Sequence, residues 1–265
     1  MEKSEGSNQQ VHIKTVHETP HKFLGATVTF NNTPKEYYDQ FNKILTEELN
    51  NIDQSKVRGE HKVAIYERHA LPSMRYHLSI HDIHKTHLDS LDKVARTYLK
   101  KWLNFPTRGV TDVGIFHPYL LNVKQPSQLY HEGHASNMLL MRLRCDTTVN
   151  QCIDSKLERE RLWTKKSSTA VKSDNITAPI VESALTAREQ GFTHKQTITM
   201  SKRKVSKSIQ EEVKEHWKDK IEHLTMQGDF AKMLIEEKES VTWQSIARKV
   251  PEMLCHLQQG YLLTP

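Results

Sequence analysis

The sequence predicts a mainly α-helical protein, and three observations carry that prediction. Apolar residues recur at helical spacing through most of the 265 residues, most clearly as Leu88, Leu91, Ala95, Tyr98 and Trp102. Gly and Pro number nine each, too few for a sheet protein full of tight turns. Only KFLGATVTF at 22–30 has the aromatic and β-branched character of a strand, with Gly25 marking a bulge or close backbone approach.

Asn31-Asn32 ends that strand, and Thr33-Pro34-Lys35-Glu36 starts a helix. Thr33 reads as the N-cap, Pro34 as the first helical residue and Glu36 as the reciprocating carboxylate. Tyr38, Phe41, Leu45, Leu49 and Ile52 then form one apolar stripe. A second helix is expected from about 55 to 70, stopped by Leu71-Pro72 because proline lacks an N–H and crowds the preceding turn. Beyond it Met74, Leu78 and Ile83 point inward. The third helix ends before Pro106, and Lys93, Arg96 and Lys100 lie nearly opposite its apolar face.

Gly109, Gly114 and Pro118 make 107–124 a loop with one short extended piece near 119–121. Helices follow over 125–144 and 149–163. The Ser/Thr/Lys-rich stretch TKKSSTAVKSD is the best boundary, giving a linker at 164–175 and a C-terminal helical region at 176–265. That region reads as a helix over 177–190, a polar break at 192–199 and a long charged helix over 201–226. Val205, Ile209, Val213, Trp217, Ile221 and Leu224 face inward on the long helix. Gly228 stops it, and two short helices near 229–238 and 241–249 complete the chain.

Composition narrows the function classes. Mean hydropathy is −0.68, and the longest apolar runs are only a few residues, so no membrane span is expected. MEKSEGSNQQ lacks the apolar core of a signal peptide, and Cys145, Cys152 and Cys255 form no CxxC pair. An intracellular protein is expected, in nucleus or cytoplasm. Net charge is +6, and residues 54–108 alone carry eleven Lys and Arg against five Asp and Glu. A basic excess confined to one stretch suits a polyanion, of which nucleic acid is the commonest inside cells. The alternative is a solvated basic surface.

Chemistry-bearing motifs are absent by type. There is no GxSxG, phosphate-binding glycine loop or HExxH, and the carboxylates pair with lysines on helix surfaces, as Glu215 does with Lys218. His77, His81, His84 and His87 could share a helical face, but zinc needs three or four converging ligands and no Cys lies near. Solvated histidines on a basic surface are the expected reading, so neither a catalytic nor a metal site is assigned. No small-molecule substrate is expected.

The residues HIKTVHETPHKFLGA, RHALPSMRYHLSIHDI and LDSLDKVARTYLKKWLNFPTRGVT, in that order, resemble the region after the catalytic palm of non-LTR retrotransposon reverse transcriptases. In that family an FLG strand closes the palm at the primer end, and a helical thumb carries a signature similar to Lys101, Trp102, Leu103 and Pro106. EGHASNMLLMRLRCDTTVN, ESALTAREQGF and MQGDF resemble the post-thumb region, so the likeness spans roughly 11–250. It implies a remnant of the palm at 1–32, a thumb-like bundle at 33–106 and connector helices at 107–163. Phe23, Leu24 and Gly25 would be a primer-grip-like strand, and Lys93, Arg96, Lys100 and Lys101 would contact the backbone of an RNA/DNA duplex or template–primer.

The departures are chemical. The family's parent activity is RNA-directed DNA polymerisation, which needs carboxylates holding two metal ions. Residues 1–22 contain no Asp and only Glu2, Glu5 and Glu18. The expectation is a retroelement fragment or degenerate copy without polymerase activity of its own, any Mg²⁺ belonging to the missing palm. The alternatives are a helical protein-interaction module with a basic surface, or a relic without function.

The apolar stripe predicts that Trp102 is buried. Trp102→Ala should therefore cost about 3–5 kcal/mol in urea unfolding. A loss near zero would disprove the orientation of this helix.

Overall fold

The structure is a computed structural model, and it describes residues 21–23, 26–28, 34–105, 111–118, 121–144, 146–164 and 169–223. It is mainly α, as the sequence predicts. The expected strand is instead two short ones, β1 (His21–Phe23) and β2 (Ala26–Val28). They pair antiparallel, with Phe23 opposite Ala26. The expected N-cap Thr33 lies outside the described residues, as do Leu224 and both short C-terminal helices.

Helix α1 (Pro34–Gln54) buries Phe41, Leu45, Leu49 and Ile52, as the stripe requires. The next segment corrects the reading of Leu71-Pro72 as a stop. After α2 (Gly59–Ile65), a five-residue π-turn at Tyr66–Ala70 runs directly into α3 (Leu71–Ile80). The wider turn absorbs the missing N–H and the bulk of the proline ring, so the chain stays helical through the site that periodicity alone would end.

Helix α4 (Lys85–Trp102) buries Leu88, Leu91, Ala95 and Trp102, and Leu99 takes the fully buried place expected for Tyr98. Tyr98 is half-buried, its hydroxyl donating to Asn50 Oδ1 at 2.6 Å. The segment expected as a loop forms α5 (Thr111–Phe116), which packs on α4. Helices α6 (Pro126–Leu143) and α7 (Thr147–Thr164) match the two expected ones.

The expected linker is also corrected. Helix α8 (Thr169–Glu189) begins inside it, and Val171, Ser173 and Asp174 are buried. Asp174 takes ion pairs from Arg142 on α6 at 3.4 Å and from Arg161 on α7 at 3.0 Å. These cations compensate a carboxylate that burial would otherwise penalise. The polar break is shorter than expected, because Gly191 (φ 94°) closes α8 and Thr193 opens α9 (His194–Glu222). Gly191 N–H reaches the Arg188 carbonyl and Phe192 N–H reaches Ala187, the two bonds of a Schellman turn. Thr193 and Gln196 form a capping box at the start of α9.

Two apolar clusters result. One gathers α1 to α5, Leu129 and Tyr130 of α6, and Trp217 and Ile221 of α9. The other joins Ala135, Leu139 and Leu143 of α6 to α8 and to Val205 and Ile209 of α9. Helices α6 and α9 each serve both clusters, so a cut between residues 163 and 176 would split neither core cleanly.

Two glycines set the closest approaches. A Cβ on Gly59 would lie 1.8 Å from the Trp102 carbonyl oxygen, and one on Gly133 would lie 2.6 Å from Ser79 Cβ. The first fixes the start of α2 on the end of α4; the second fixes α6 on α3. Gly59→Ala should destabilise by about 3 kcal/mol or more, and Gly133→Ala by about 1–3 kcal/mol, because packed backbone gives way poorly. Thermal melts that show either variant unchanged would refute the contact concerned.

Candidate nucleic-acid interface

The expected interface begins on the outer face of α4. Lys93 is exposed there, as periodicity places it. Arg96 and Lys100 are not free in the same way. Both point at Asp112 of α5, with Arg96 Nη1 at 3.0 Å and Lys100 Nζ at 2.8 Å from its carboxylate. Lys100 is 8% exposed, which corrects its reading as an outward cation. The cause is tertiary: α5 lays a carboxylate over a helix face that looks open when α4 is considered alone.

Lys101 is exposed, and it too has a partner. Its Nζ lies 2.6 Å from Asp53 Oδ2, while Trp102 Nε1–H donates to Asp53 Oδ1 at 2.9 Å. The hydrogen bond from Lys101 and then that from Trp102 hold the Asp53 carboxyl below its ordinary range. Lys62 donates to the Asp53 carbonyl at 2.6 Å. Lys62, Arg96, Lys100 and Lys101 thus share the C-terminal half of α4 with Asp53 and Asp112, and Lys93 lies midway along the helix. The patch remains cationic, but its exposed cations are Lys93 and Lys101.

Phe23 lies in β1, and Leu24 and Gly25 fall outside the described residues. The fold therefore brings Lys93, Arg96, Lys100 and Lys101 onto one helix and leaves the primer-grip-like residues without described side chains. Periodicity missed Asp53 and Asp112 because each acts through a partner distant in sequence. The Thr111-Asp112 start of a helical turn was the one available signal for α5.

The histidine run differs from the solvated surface that was expected. His81 is buried, stacked on Tyr37 with ring centroids 3.8 Å apart, and burial lowers its pKa. His84 caps α4, its Nδ1 accepting from the Thr86 N–H at 3.4 Å. His87 stacks on Tyr38 at 4.3 Å. Among the described residues no three His, Cys, Asp or Glu side chains gather as metal ligands would.

Behind the interface, Asp92 is buried and accepts from the Ser127 N–H at 2.9 Å. Burial pushes its carboxyl up to about 6. Burial pulls His117 and His131 down to about 4, with Lys214 and Lys172 adding to the respective shifts.

No family model, curated protein or solved structure matches the chain. Among the described residues no helix is long and apolar enough to cross a membrane.

The buried acid and the histidines act on stability with opposite signs. Asp92 keeps its proton to higher pH when folded than when unfolded, so its burial costs stability as pH rises from about 4 to 6. The cost is on the order of 3 kcal/mol above that window. His131 is protonated more readily when unfolded, so its contribution is full above about 6.5 and is lost as pH falls towards 4. Urea midpoints from pH 4 to 7 should show Asp92→Asn gaining on the parent protein as pH rises, and His131→Gln gaining as pH falls. Differences that stay constant with pH would remove both assignments.

Proposed function

We propose that this chain binds nucleic-acid duplexes through their phosphate backbone, in the manner of the thumb and connector of a non-LTR retrotransposon reverse transcriptase. It performs no nucleotidyl transfer by itself. The observation that carries the reading is the charge of residues 54–108, where seven of the ten described cations are exposed, among them Lys56, Arg58, Lys85, Lys93 and Lys101. The ordered likeness of several motifs to the post-palm region supports it.

Phosphate contacts position a duplex without reading its sequence. Lys85 and Lys93 are the exposed cations of α4 without a carboxylate partner among the described residues, whereas Arg96 and Lys100 tie α5 to α4 and Lys101 ties α4 to Asp53 of α1. The chemistry asked of the protein is therefore placement of a backbone by ammonium and guanidinium groups on rigid helices.

Fluorescence anisotropy with labelled duplexes across a salt series tests the reading. Affinity should be indifferent to sequence and should fall steeply with salt. Lys85→Gln with Lys93→Gln should flatten the slope of log affinity against log salt by roughly two units on duplex DNA. Arg96→Gln with Lys100→Gln should lower the thermal midpoint by freeing Asp112. Binding to an acidic polypeptide in preference to duplex would favour a protein-interaction module instead.

A further inference from the structure

The interface above leaves a second cationic feature unused. Helix α9 carries Lys195, Lys202, Arg203, Lys204 and Lys207, and no acid occurs between Glu189 and Glu211. Charge counted over the whole chain hides this run, because acids before and after it cancel it. Part of the run faces away from the cleft described next. Lys204 Nζ donates to Ser183 Oγ on α8 at 2.7 Å, and Lys207 lies 3.9 Å from Glu211.

Lys202 faces a cleft of about 360 Å³ between α3, α6 and α9. Arg75 enters it from α3, and Ser136, Asn137 and Ser206 line it with small neutral donors. Arg75 and Lys202 are both exposed, and neither has a carboxylate partner among the described residues. The one carboxylate in the lining, Glu132, is already neutralised by Lys124 Nζ at 2.9 and 3.2 Å. The cleft is therefore cationic by two charges.

Its floor is also fixed. Gly133 lets α6 approach Ser79, and Asn137 Nδ2–H donates to the Ser79 carbonyl at 2.9 Å. That bond leaves the second N–H of the Asn137 amide for another acceptor. Guanidinium, ammonium, hydroxyl and amide donors around an opening of this size suit a phosphodiester. The volume lies near the lower end of ligand clefts, about 300–1,000 Å³.

We propose that this cleft holds a backbone phosphodiester of a bound duplex, with Arg75 and Lys202 as its cations. The assignment rests on the nucleic-acid reading and adds to it a second contact region on α3 and α9. A duplex contacted there and on α4 is gripped by two separate elements, which orients it as one patch would not.

Anisotropy on the full chain with a labelled mixed-sequence DNA duplex tests the cleft. Arg75→Gln with Lys202→Gln should flatten the salt slope by about one unit, at about 0.9 for the one phosphate the cleft neutralises. Arg75→Lys with Lys202→Arg should keep the parent slope, because both cations remain. Should the Gln pair lose its helical circular dichroism, Lys202→Gln alone should flatten the slope by roughly half a unit, because Arg75 remains on the same phosphate. A folded Gln variant with the parent slope would overturn the cleft while leaving duplex binding intact. A parent protein that binds no duplex would overturn both. Inorganic phosphate, compared with chloride at equal ionic strength, separates the sources of the anion. Parity with chloride is expected, and displacement of the duplex well beyond chloride would show a free-phosphate site and overturn the backbone assignment.

Discussion

Helix α6 cannot finish either of its ends by itself. Its N-cap residue Gln125 makes no side-chain bond, and the orphan N–H of Ser127 is taken instead by Asp92 of α4. At the other end the Leu143 carbonyl accepts from Arg188 Nη1 of α8 at 3.0 Å. Helix termini leave such groups unsatisfied, and burying them without partners is costly. The position of α6 is thereby tied to helices on both sides of it. Gly133 then sets its distance from α3, and its two halves feed the two apolar clusters.

The cost of that arrangement sits on Asp92. Its carboxylate caps a helix N-terminus, where negative charge is favoured, yet burial outweighs that benefit and raises its pKa. Asp53 and Asp112 face the opposite balance. They lie nearer the surface and pair with cations from α4, so charge pairing there joins elements. The same pairings decide which basic residues keep an uncompensated charge. A lysine bonded to a carboxylate inside the fold is a strut, and a lysine without one keeps its charge facing solvent.

Much of the helical content was legible because burial follows period. Phe41, Leu45, Leu49 and Ile52, and later Val205, Ile209, Trp217 and Ile221, are buried where spacing puts them. The failures have a common cause. Pro72 was read as a stop because local rules do not anticipate a π-turn that relieves it. The Ser/Thr/Lys stretch that runs into the first turns of α8 reads as a linker because polarity there suggests solvent, whereas Asp174 is polar in order to receive Arg142 and Arg161. The basic stripe was legible as a stripe, but its covering by α5 was not.

The sequence by itself determined the helical class, the inward faces of α1, α4 and α9, and the concentration of positive charge before residue 109, since each depends on neighbours within a few turns. Tertiary structure alone decided which of those charges are spent inside the fold. Asp112 reaches Lys100 across a change of chain direction, and Asp53 reaches Lys101 from another helix. Arg75 and Lys202 meet at one cleft though 127 positions separate them. An ion pair is set by distance in space and by access to water, and neither quantity is written in the order of residues along a single helix.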